Sequence, residues 1–158
     1  MKLNKLMFRE YDIRGIWNED ITEEISYYIG RAYATKLLSL KKNKMIVGYD
    51  NRLSSPIIEK NLVKGLTDGG VDVVRLGLVT TPMYYYAWDK LNIHCGIMIT
   101  ASHNPKEYNG FKMSYNGIHN CFGNEVAELY YIILNGIYSK GNGSITDANI
   151  KEDYIKMI

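Results

Sequence analysis

The chain has 158 residues, enough for one domain with its own core, and its 46% apolar and 23% charged residues fit a globular protein, not a disordered one. A formal net charge of +2 without a basic cluster argues against a nucleic-acid partner, and no apolar run approaches the roughly 20 residues of a membrane span. Two cysteines, Cys95 and Cys121, stand in no metal-ligand spacing, and the apolar step in MKLNKLMFRE is too short for a signal peptide, so the cytoplasm is the expected compartment.

In chain order, an amphipathic helix is expected over about 22–40, with Ile25, Ile29, Ala32, Leu37 and Leu40 on one face. MIVGYD, 45–50, reads as a short buried strand ending in a carboxylate. The loop NRLSSP follows, with Ser55 as helix cap and Pro56 as first helical residue. That helix runs to about Asp68, with Ile58, Leu62 and Leu66 on its inner face, and Gly69-Gly70 ends it. VDVVRLG, 71–77, is the next strand. The stretch 79–92 is a loop into a helix, with Thr81 as cap and Pro82 behind it. CGIMITA, 95–101, is a strand apolar along nearly its whole length, which predicts burial on both faces. A strand over 110–115 and a helix over 123–138 follow, and the glycine-rich tail from 141 reads as a linker into a further segment.

Alternating strand and helix through the middle predicts an α/β fold: a three-layer α/β/α domain over 1–140, with a mainly parallel, mixed sheet of about four strands. In an open sheet of this kind ligands bind beyond the carboxyl ends of the strands. The loops after Asp50, Gly77 and Ala101 then share one edge, and the third is TASHNPKEYNGFKM, 100–113. Ser102 leaves a buried strand there with its hydroxyl free to face outward, and His103 stands beside it. Asn109-Gly110 is a tight-turn signal that would bring Lys112 back towards Ser102. A serine needs activation to act as a nucleophile, and a lysine can hold phosphate or take a proton. On residue types alone the loop is more readily an ordinary turn with a capping serine than a reactive one, and no dinucleotide, Walker or nucleophile-elbow motif occurs.

Three segments in order, FREYDIRGIW at 8–17, VGYDNRLSSP at 47–56 and TASHNP with NGFKM at 100–113, resemble the signatures of the α-D-phosphohexomutases. Tyr-Asp-Ile-Arg-Gly is more similar to the phosphomannomutase/phosphoglucomutase branch than to the phosphoglucosamine mutases, which remain an alternative. The resemblance implies a mutase that interconverts hexose 1-phosphate and hexose 6-phosphate through a phosphoserine and a sugar 1,6-bisphosphate. Ser102 matches the phosphoserine and, through its phosphate, one ligand of Mg²⁺. Lys112 and His103 match residues near proton or phosphoryl transfer, and Arg14 one suited to phosphate or transition-state charge. Tyr11 matches an aromatic residue that shapes the sugar pocket. Asn104 and Asn109 are expected to support the loop, and Asp50 with Arg52 to form a pair beneath it. The resemblance covers the family's domain I, with the Asp-Gly-Asp metal loop, the sugar-discriminating loop and domains II–IV absent from these residues. The fragment is therefore expected to be inactive alone and to present surfaces that meet the missing domains. The competing possibility is a free-standing domain that binds phosphosugars or a partner without catalysis.

Overall fold

The computed structural model describes residues 1–158 as six strands and five α-helices with a 3₁₀ turn at Lys5–Met7. The strands are β1 (Ile13–Ile16), β2 (Lys44–Tyr49), β3 (Asp72–Leu78), β4 (Gly96–Ile99), β5 (Tyr108–Ser114) and β6 (Ile145–Asp147). The helices are α1 (Glu23–Ser39), α2 (Ser55–Asp68), α3 (Thr81–Lys90), α4 (Asn124–Asn135) and α5 (Lys151–Met157). They form one mixed sheet of order β1-β5-β4-β2-β3-β6, six strands where about four were expected. The two extra strands are β1, with an arginine and a glycine at its centre, and β6, whose three residues are all exposed. Neither carries the hydrophobic alternation that marks a strand in a sequence. The tail expected as a linker instead lays β6 parallel along β3.

β3, β2 and β4 are parallel, as the α/β pattern predicts, while β5 runs antiparallel to both β4 and β1. Side chains alternate across the sheet. Met45, Val47, Ile97, Ile99 and Phe111 point to the face covered by α1, α2 and α4. Ile46, Val74, Leu76 and Met98 meet Tyr84, Ala87 and Trp88 of α3 on the other. These are the three layers, and β4 is buried along its whole length.

The helix caps sit one residue before the expected positions. Ser54 is the N-cap of α2 and Thr80 that of α3, where the threonine hydroxyl accepts from Met83 N. Leu40 lies past the end of α1 and is exposed. Helices α1 and α2 approach through glycine. A methyl group on Gly65 would overlap the carbonyl oxygen of Tyr27, and one on Gly30 that of Leu62. The main departure concerns Asn109-Gly110, which lies inside β5 and not in a turn. Gly110 is required because a side chain there would strike the Ile13 carbonyl where β1 packs alongside. Asn109 is fully buried and bonds outward to α2.

The topology opens a crevice at a defined place. β2 leads through α2 to β3 on one side, whereas β4 leads directly to β5 on the other. The loops after β2 and β4 therefore part at the carboxyl edge, the switch point where open α/β sheets take ligands.

Candidate active site

Ser102 lies at that switch point. Its backbone has φ of 54°, the left-handed region that residues with a side chain enter uncommonly and at a cost. The hydrogen bonds of Ser102 run through its backbone: its N–H donates to Thr100 Oγ1 at 3.1 Å, and its carbonyl accepts from Arg52 at 3.0 Å. The residue is exposed, so the hydroxyl is left to solvent. The turn is closed by two backbone bonds, Asn104 N to the Ala101 carbonyl and Tyr108 N to the Pro105 carbonyl, both 3.0 Å.

Two arginines grip this turn from opposite sides. Arg14, on β1, donates to the Asn104 side-chain oxygen and to the carboxylate of buried Asp12. Arg52, in the loop after β2, donates to the carbonyls of Pro105, Asn104, Ser102 and Tyr108 at 2.7, 2.8, 3.0 and 3.1 Å. Its Nε stands 3.4 Å from Asp50 Oδ2, in ion-pair range but not aligned as a hydrogen bond. Asp50 is held in turn by Arg52 N at 3.1 Å and by the Ser55 hydroxyl at 3.0 Å. Ser55, expected to cap α2, spends its hydroxyl on this contact. A cleft of about 390 Å³ opens here, lined by Asp50, Asn51, Arg52, Leu53, Ser102, Asn104 and Lys106.

A family model described as "Phosphoglucomutase/phosphomannomutase, alpha/beta/alpha domain I" matches residues 5–136. The chain belongs to this family. The phosphomannomutase/phosphoglucomutase of Pseudomonas syringae pv. tomato is 41% identical over 153 residues, which cover 96% of this chain and 32% of that protein. The phosphoglucomutase of Neisseria meningitidis serogroup B is 40% identical over 154 residues, covering 96% and 33%. A crystal structure of a phosphoglucomutase/phosphomannomutase family protein from Burkholderia thailandensis superposes with a TM-score of 0.91 at 31% identity, covering 98% of this chain and 35% of that one. The chain thus spans about a third of the length of the curated relatives it matches.

Every site residue read from the sequence falls inside the region matched to the phosphoglucomutase/phosphomannomutase domain I, but the structure does not gather them all. Ser102, Asn104, Asp50 and Arg52 share the cleft, and Arg14 adjoins it through Asn104. His103 is exposed beside Ser102, and Tyr11 is exposed on the segment leading into β1. Asn109 stands below the site, in contact with Ser54 and Ser55. Lys112 is set back. It pairs with Met98 across β4 and β5, four residues before Ser102, or at most about 13 Å along an extended strand. The turn expected at Asn109-Gly110 would have brought it closer. Thr100, Asp12 and Ser54 were missed because their bonds are made to residues that only the fold brings near. Asn51, Leu53 and Lys106 were missed because only the cleft identifies them. Both cysteines are free and buried, and burial pushes Cys95 up to about 11 and Cys121 to about 12, which leaves them as inert thiols. No three His, Cys, Asp or Glu side chains lie close enough to hold a metal ion, and no helix is long and apolar enough to cross a membrane.

Proposed function

We propose that this domain supplies the phosphoryl-carrying serine of a mutase that interconverts the 1- and 6-phosphates of mannose or glucose. The observation that carries the proposal is the position of Ser102. Its hydroxyl stands free at the switch-point edge while its backbone is held in a left-handed conformation by groups that leave the hydroxyl unused. That is how a chain presents a nucleophile, and a plain turn serine has no need of it.

In the proposed cycle Ser102 Oγ begins as its phosphate ester. The free hydroxyl of a hexose monophosphate attacks the phosphorus, the serine O–P bond breaks, and a new O–P bond forms on the sugar. The proton of the sugar hydroxyl passes to a base, for which exposed His103 and half-buried Lys112 are the two candidates in this chain. The serine oxygen that leaves takes up a proton, and the resulting sugar 1,6-bisphosphate turns end for end. Ser102 Oγ then attacks the other phosphorus, its proton passes to the base, the sugar O–P bond breaks, and the sugar oxygen takes a proton to leave as the isomeric monophosphate. Phosphoryl transfer of this kind depends on alignment and charge neutralisation more than on covalent help. Arg14 holds the turn through Asn104 and is the arginine proposed to meet phosphoryl charge, and exposed Tyr11 is proposed to shape the sugar pocket. Mg²⁺, where bound, would neutralise phosphoryl charge. Of its expected ligands this chain carries Ser102 alone and no carboxylate cluster, so these residues do not make a Mg²⁺ site by themselves. The remaining ligands and most of the sugar cleft would come from the other two thirds of the family's length, which is why the domain alone is expected not to turn over. The buried, unpaired thiols fit a reducing compartment, and we place the protein in the cytoplasm.

Kinetics test this in a form that carries the remaining family domains. Ser102→Ala is expected to lower mutase turnover on the order of 10³-fold or more. Turnover at the wild-type rate would overturn the assignment.

A further inference from the structure

The serine turn rests on a line of polar side chains drawn from three elements. It starts at Asn109 in β5, whose amide nitrogen donates to the hydroxyls of Ser54 and Ser55 at 2.8 and 3.0 Å. Ser55 donates in turn to Asp50 Oδ1 at 3.0 Å, and Asp50 faces Arg52. The line ends in the four carbonyls held by Arg52.

We infer that Arg52 is a positioning residue that sets the conformation of Ser102, and that Asp50, Ser55 and Asn109 set Arg52. The inference rests on Ser102 being the phosphoryl carrier. Four carbonyls within seven residues converge on one cation, and the turn's own backbone satisfies no more than two pairs. Without the guanidinium those carbonyls lose their common partner, and the left-handed φ of Ser102 loses its restraint. Arginine alone suits the task. It offers five N–H groups in a fixed planar fork, whereas lysine has three donors around one point. Arg52 directs four bonds at the turn and turns Nε towards Asp50, with only 11% of its side chain exposed. Its four Nη bonds go to the turn and its buried Nε faces Asp50, so it is not a group waiting for a substrate phosphate. It acts through the serine, on the placement of Oγ.

Misplacing a reacting atom by about 1 Å costs on the order of 10²-fold in rate, and groups that bind the sugar elsewhere are untouched. Arg52→Lys is the decisive variant, because it keeps the charge beside Asp50 and removes the fork. Arg52→Ala serves beside it, and where the alanine variant does not fold the lysine variant decides. The first readout is trypsin cleavage after Lys106, exposed within the turn, in the 158-residue chain under native conditions. Cleavage of Arg52→Lys is expected to be about tenfold faster than that of wild type at an unchanged melting temperature, because cleavage follows the open population of the turn. The second is a split in kinetics in a form that turns over: kcat lower on the order of 10²-fold, KM for the hexose phosphate within about twofold. Wild-type protection at Lys106 together with wild-type kcat in Arg52→Lys would overturn the inference. Undiminished turnover in Ser102→Ala would remove the phosphoserine assignment instead, and the trypsin readout would still decide whether Arg52 holds the turn.

Discussion

Ser102→Gly is expected to make the fold more stable than Ser102→Ala does. Ser102 has φ of 54°, where a Cβ crowds the backbone at a cost of about 1–2 kcal/mol. The serine hydroxyl is exposed and bonds to nothing in the chain, so alanine changes stability by no more than about 0.5 kcal/mol and keeps the strain. Glycine removes the strain but adds freedom to the unfolded chain, worth about 0.4–1 kcal/mol in the other direction. The balance favours glycine over alanine by about 0.5–1 kcal/mol, or about 1–4 °C in melting temperature for a chain of this size. Thermal melts of the two variants, followed by circular dichroism at neutral pH, measure the difference directly. A glycine variant that melts below the alanine variant would show that residue 102 is not strained, and with that the case for a built nucleophile at this edge would fail. The two variants remove the same hydroxyl, so activity does not confuse the comparison.

The tight contact of α1 with α2 gives a second expectation. Gly65→Ala drives a methyl group into the Tyr27 carbonyl, which is backbone and yields only if a helix moves, and should cost about 2–3 kcal/mol and lower the melting temperature by about 5–10 °C. A change within about 1 °C would show that the helices do not meet there. A third concerns pH. Burial raises the Glu59 carboxyl above its ordinary value of 4.5; Arg75 opposes the shift and Asp147 adds to it. The folded state then binds its proton more tightly than the unfolded chain, so stability from this group is fully present below pH 4.5 and is lost as pH rises through the folded value. Glu59→Gln, neutral throughout, should melt higher than wild type at pH 7 and lose that advantage as pH falls through the raised folded value to 4.5. An advantage that persists in acid would mean packing, not ionisation, is responsible.

What the sequence made legible is what depends on near neighbours. The parallel core strands, the two-sided burial of β4 and the meeting of the loops after β2 and β4 follow from apolar runs separated by capped helices. What stayed hidden depends on partners far along the chain. Asn-Gly is a turn signal by its own conformational freedom, yet here the asparagine is spent on Ser54 and Ser55 and the glycine on the approach of Ile13. Ser55 has the chemistry of a helix cap, and only the nearness of Asp50 reassigns it. β1 and β6 are held by the ladder of the strand beside them, not by a pattern of their own. Ser102 and its companions could be named through resemblance, but the sharing of the turn between Arg14 and Arg52 is visible only in three dimensions.

In the proposed cycle Ser102 carries the phosphoryl group. A form of the protein that turns over can be treated with glucose 1,6-bisphosphate and the added phosphoryl group located by fragmentation mass spectrometry. A single phosphate is expected on Ser102, removed by added hexose monophosphate and absent from Ser102→Ala. A protein that turns over with Ser102 never phosphorylated, or with the phosphate on another residue, would contradict it.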